Sequence, residues 1–254
     1  MLRNCNISKK LRSQEGASLP LALLLFLICA MAAAIVLAAS TTAAGQATNM
    51  QESNQAYYSV ASATNLLRDQ LVKSDGEPHQ VTVAVAKGPG NSYNAVISVD
   101  GSKVNNSSGV KSSLLVQMAT LLLSGKEEST VAGAESQIIS AAQNNWVNWA
   151  EQSVFKQGEI KYTLEASATG LDNASALTVD VKASLNSYGN LVFTISKKKG
   201  TGNNAQTLAL FNLTCELDYE QETMEGTQSG QAVEIKYITL SWTPTTVAKA
   251  PVTP

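Results

Sequence analysis

Few residues in this chain are of types that do chemistry. His79 is the single histidine and stands between Pro78 and a predicted strand. A metal site would need a second His or a Cys beside it. The three cysteines are scattered: Cys5 in a basic leader, Cys29 in an apolar run, Cys215 in a predicted strand. His79 therefore reads as a solvated loop residue, and no disulfide framework is expected. Cys29 invites a lipoprotein reading, but Ile28 stands where such signals need a small residue, so it is expected to be a buried, inert thiol. Glu216, Asp218, Glu220 and Glu222 repeat at period two, with Glu225 expected after them in a Gly-rich loop. Carboxylates ranked along a strand diverge, whereas calcium needs converging oxygens in a turn. The expectation is a solvated face partly balanced by Lys236 on a neighbouring strand. Trp146 and Trp149 could form a sugar-stacking ledge, but three residues apart on a helical pattern they are expected to dock it. Lys197 to Lys199 mark a polar strand end, and Asn212 to Thr214 spells a glycosylation triplet. No phosphate-binding glycine loop, HExxH or nucleophile elbow is present. The chain is thus not expected to be an enzyme, and no catalytic residue, metal or cofactor is assigned.

The elements that position these residues begin with a charge asymmetry. The chain has 254 residues, 44% of them hydrophobic, enough for one sizeable soluble core beside a membrane segment. Arg3, Lys9, Lys10 and Arg12 precede an apolar run, and no charged residue stands between Glu15 and Glu52. Four of the 18 Lys and Arg and one of the 20 Asp and Glu lie before Ala17, so the remainder would carry a net charge of -5. That balance argues against nucleic-acid binding. Ala17 to Ala39 is uncharged and, at 1.5 Å per residue, about 35 Å long as a helix, enough to cross a membrane. The preceding basic residues place the N-terminus in the cytoplasm and the bulk outside. A cleaved secretory signal has a shorter apolar stretch, although LAASTTAAGQ offers small residues at which signal peptidase could cut.

Beyond the apolar run, Met50, Tyr57, Ala61, Thr64, Leu67 and Leu71 recur at helical spacing, and no proline interrupts the chain between Pro20 and Pro78. The pattern predicts one helix of about 55 residues starting near Ala17, with Pro20 in its first turn. A short basic leader ending in glycine, then Ala-Ser-Leu and an apolar helix running on as an amphipathic one, resembles the type IV prepilin family and its pseudopilin relatives. The resemblance covers about the first 70 residues. It implies cleavage by a prepilin peptidase after Gly16, methylation of Ala17 and retention of the apolar segment. Leu19, Pro20, Leu21, Leu24, Leu25 and Leu27 would then belong to the filament-assembly helix. Most members carry glutamate as the fifth mature residue, where this chain has Leu21. That departure resembles tip or initiating minor subunits.

After Asp75-Gly76 the period changes from helical to two. Val81, Val83 and Val85, then KGPGNSY, then Ala95, Ile97 and Val99 predict a hairpin. Leu114 to Leu122 and Ile138 to Trp149 predict two amphipathic helices, and from Gly158 an antiparallel meander follows, its last strand near Val233 to Trp242.

The expected architecture is α+β: a long transmembrane-plus-amphipathic helix packed on an antiparallel sheet, pilin-like, with a helical insertion. The expected divisions are a leader at 1–16, a transmembrane helix at 17–39 and its amphipathic continuation at 40–75. An extracellular domain at 76–243 carries the insertion at about 111–155, and a flexible tail spans 244–254. The resemblance implies a minor pilin or pseudopilin whose partners are the prepilin peptidase, other pilin subunits, an inner-membrane assembly platform and membrane lipid, with no nucleic acid. Its location would be the membrane, then the pilus or cell surface. The alternative is a single-pass anchored or secreted binding protein outside any filament.

Overall fold

The computed structural model describes residues 7–104, 113–166, 177–200, 205–228 and 231–251, with the side chains of the first helix described from Leu25 onward. The chain divides into two compact units, Met1–Asn54 and Gln55–Pro254.

The first unit is helical. Helix α1 runs over Ile7–Leu71, 65 residues. It starts ten residues before the expected position because the leader KKLRSQE is made of good helix formers, and Gly16 costs only about 1 kcal/mol against them. Pro20 is therefore an interior residue of α1 and not a first-turn one. Past the apolar run, the hydroxyls of Ser40, Thr41, Thr42 and Thr48 donate back to carbonyls three or four residues earlier, at 2.9 to 3.0 Å. Those bonds satisfy the hydroxyls without leaving the helix.

In the second unit, α1 ends at Leu71 instead of near residue 75. The chain there reverses: Lys73 donates its amide to the Glu77 carbonyl at 2.7 Å, Gly76 takes a φ of 92°, and Val72 bridges Pro78. Strands β1 (Gln80–Lys87) and β2 (Tyr93–Val99) form the expected hairpin, and the two-residue Asp100-Gly101 turn, with φ of 48° and 75°, leads into the short β3 (Ser102–Lys103). Helices α2 (Leu114–Ser124) and α3 (Val131–Asn144) come next. Ser113 and Thr130 cap their N-termini by accepting from the amides of Val116 and Gly133, and Gly125 ends α2 in the left-handed conformation.

Strands β4 (Gly158–Ala166), β5 (Leu177–Leu185), β6 (Leu191–Lys199), β7 (Gln206–Gln228) and β8 (Gln231–Lys249) complete one eight-stranded antiparallel sheet ordered β3-β2-β1-β8-β7-β6-β5-β4. The long β7–β8 hairpin is shared between two halves. Residues 206–215 of β7 pair with β6, and residues 234–241 of β8 pair with β1. The register shifts between Thr214 and Cys215, opposite Pro244 and Thr246, close to where β6 stops pairing. This corrects the expected flexible tail. Residues 244–249 form strand, because Phe211 to Cys215 supply a pairing edge and the bulge accommodates the missing amide of Pro244.

One face of the sheet is apolar, as the period-two pattern requires. Val83, Ile97, Phe193, Leu213, Leu240 and Trp242 are wholly buried there. On α1 the buried stripe is Ala56, Val60, Ala63, Thr64, Leu67 and Leu71. The expected stripe is right from Thr64 on, but Tyr57 is exposed and Ala61 half-buried. Ala56 and Ala63 are buried in this stripe, while Tyr57 stands at the margin with its ring edge-on to Phe211, centroids 5.4 Å apart. The buried Thr64 hydroxyl is satisfied by the Val60 carbonyl at 2.7 Å. Leu67→Ala should cost about 2–5 kcal/mol by opening a cavity, whereas Tyr58→Ala on the exposed side should stay within about 0.5 kcal/mol. Urea unfolding followed by the fluorescence of buried Trp149 and Trp242 measures both.

Candidate functional site

The segment to which function was assigned from the sequence lies on α1. Gly16, Ala17, Leu19, Pro20, Leu21 and Leu24 lie in its helical backbone, and their side chains fall outside the described residues. From Leu25 the side chains stand out from the chain: Leu25 is 59%, Phe26 73% and Leu27 55% exposed, and Ile35, Val36 and Leu37 are alike. Cys29 is exposed on this surface, with no described residue over it. The helix is long and apolar enough to cross a membrane, and none of its most apolar window is buried among the described residues. Leaving apolar surface in water costs about 25 cal/mol per Å², so a helix of this length and composition is compatible with a membrane span.

In the second unit the titratable residues do not gather where the sequence suggested. His79 is engaged, not free: its Nδ1 lies 2.5 Å from Asp100 Oδ2. Asp100 Oδ1 accepts from the Gln80 amide at 3.0 Å and pairs with Lys73 Nζ at 3.2 Å. Partial burial works to raise the Asp100 pKa, but the Gln80 amide, the His79 ring and Lys73 outweigh it and hold the carboxyl below its ordinary value. The cluster ties the end of α1 and the start of β1 to the β2–β3 turn. The Asp-Gly turn was visible in the sequence, but its partners, some twenty residues away, were not.

The acidic row does form. Glu216, Asp218, Glu220 and Glu222 are exposed on one face of β7, and an open groove of about 470 Å³ lies between Glu220, Glu222, Tyr237 and Thr239. Lys236 does not balance it, and Glu225 is part of β7, not of a loop. Opposite Thr223 in the register, Lys236 faces the other side of the sheet, where it is 8% exposed. Its Nζ donates to the carbonyls of Trp146 and Val147, both at 2.7 Å, and lies 5.1 Å from the Trp146 ring centroid. Trp146 Nε1 donates to Glu234 Oε2 at 2.8 Å. Helix α3 ends at Asn144, so Trp146 and Trp149 lie in the turns beyond it; Trp149 is buried, and both hold this segment on the sheet. Two carbonyls and an aromatic face compensate the desolvated ammonium.

On the outer face of β4 and β5, Glu159 receives Lys182 and Lys161, and these two contacts, in that order, lower its pKa. Burial pushes the Cys215 thiol up to about 12, leaving it inert, and also raises Tyr162. Among the described residues no three His, Cys, Asp or Glu side chains converge as metal ligands would.

Because Asp100 ionises more readily folded than unfolded, its stabilisation is complete above the ordinary carboxylate range and is lost as pH falls through its folded pKa. Asp100→Asn, which keeps the turn, should lower stability by about 1 kcal/mol at neutral pH and by little near about pH 2. Urea midpoints of the two proteins at each pH test this.

No family model matches the chain, and neither a curated protein nor a solved structure is found to be similar to it.

Proposed function

We propose that the chain is a minor pilin or pseudopilin-like subunit, cut by a prepilin peptidase after Gly16 and assembled into, or at the tip of, a type IV pilus-like filament. The observation that carries this reading is the first helix. A basic leader ends at Gly16, an uncharged stretch follows from Ala17 to Ala39, and the described apolar side chains of that stretch are exposed. Basic residues before the span keep the N-terminus in the cytoplasm, and the second unit then lies outside. In the membrane, lipid satisfies the exposed apolar surface, and in a filament the same surface packs against neighbouring subunits. One segment thus serves as anchor and as assembly core.

Leu21 supports a specialised place. A glutamate at that position would pair with the terminal ammonium of a neighbouring subunit inside an apolar bundle. Leucine offers no such contact, so this subunit suits a position where it need not register beneath another. The β-sheet unit, with α2 and α3 between β3 and β4, is the pilin-like outer domain and its helical insertion. An inner-membrane assembly platform and the other pilin subunits are the partners this role requires.

The N-terminal sequence of the mature protein, from cells that also make a prepilin peptidase, tests the reading. A start at Ala17 carrying one added methyl group is expected. An intact Met1, or a start beyond residue 38, overturns it. Recovery in sheared filaments is expected as well; recovery in membranes alone would favour an anchored binding protein.

A further inference from the structure

Helix α1 contains one proline, Pro20, and two glycines, Gly16 and Gly45, in 65 residues. In an α-helix the carbonyl of residue i accepts the amide of residue i+4. The residue four beyond Gly16 is Pro20, which has no amide hydrogen. Every other carbonyl in the interior of α1 faces a residue that can donate. The carbonyl deprived of its donor belongs to Gly16, so it is the one across which the peptide bond to Ala17 is made. The same turn holds glycine, the weakest helix former after proline. Two separate weaknesses, a missing hydrogen bond and a permissive backbone, thus coincide at one peptide bond of a helix that begins at Ile7 and passes through it.

We propose that Pro20 is a positioning residue for processing: it frees the Gly16 carbonyl from the helix and lets the turn from Gly16 to Pro20 open into the extended form a peptidase binds. The inference rests on the proposed cleavage after Gly16. In that hydrolysis the Gly16–Ala17 C–N bond breaks. Water supplies the hydroxyl that ends on the Gly16 carbonyl carbon and the proton that ends on the Ala17 nitrogen. A carbonyl held by an intrahelical amide must give up that bond before it can be polarised and attacked. With Pro20 in place there is no such bond to lose. The residue needs no contact with the peptidase for this effect; it acts through the Gly16 carbonyl.

The test follows conversion of the full-length chain in membranes by a co-expressed prepilin peptidase, by pulse-chase, with mass spectrometry of the product. Pro20→Ala restores the amide donor and should slow cleavage about tenfold or more without moving the cut. The double variant P20A/L21P keeps a proline in the turn but frees the Ala17 carbonyl instead of that of Gly16, and it should remain slow. Accessibility of the second unit to a protease added outside the cells checks that each variant is inserted. Wild-type speed in Pro20→Ala, or full recovery in P20A/L21P, overturns the inference while cleavage at Gly16 in the wild type leaves the proposed function standing. A wild-type chain that is not cut after Gly16 removes both, and that result is read from the wild type alone.

Discussion

The second unit depends on the burial of one stripe of α1 against the apolar face of the sheet. Ala56, Val60, Ala63, Leu67 and Leu71 are almost wholly removed from solvent, and the strand residues that receive them are too. Without that helix the part of the sheet that α2, α3 and the segment after them leave uncovered would expose its apolar face, and without the sheet the last turns of α1 would be held only by helix propensity, which in water is marginal. Leu71 lies at the end of the helix, so the reversal through Gly76 to β1 must happen immediately. The Asp100 cluster fixes it there by joining Lys73, His79 and the Gln80 amide.

The β7–β8 hairpin meets a related constraint. Its strands are long enough to serve two halves of the sheet, each half pairing with a different part of it. The change of partner needs a local increase in twist, and the bulge opposite Thr214 and Cys215 supplies it. Over residues 216–222 of β7, which pair on one side with β8 alone, the outward side chains are acidic, a charge pattern that discourages edge-to-edge pairing. Cys215 and Trp242 are buried near the crossing, and Trp242 Nε1 donates to the Gly189 carbonyl at 2.9 Å, linking the hairpin to the β5–β6 turn.

The first unit obeys the opposite logic. Its described apolar side chains are exposed, and no charged residue interrupts the run. In a soluble protein such a surface would be a liability. In the proposed role, as a membrane anchor that later packs in a filament, the same surface would be the working one.

Local sequence alone determined the uncharged run from Ala17, the two-residue Asp100-Gly101 turn, the alternation in β1, β2, β4, β5 and β6, and the outward row from Glu216 to Glu222. Each of these is set by neighbours within a few residues, through helical or strand period and turn chemistry. Tertiary structure decided what depends on distant partners. Tyr57 yields the buried stripe to Ala56 and instead sets its ring against Phe211 at the margin. Lys236 turns to the carbonyls of Trp146 and Val147 because the register of β8 against β7 places even-numbered residues inward there. His79 finds Asp100 across the β1–β2 hairpin, and residues 244–249 become strand because β7 offers them an edge. Period reports which residues share a face. Which face is buried, and what a charged group meets on it, is set by contacts between residues that the chain keeps far apart.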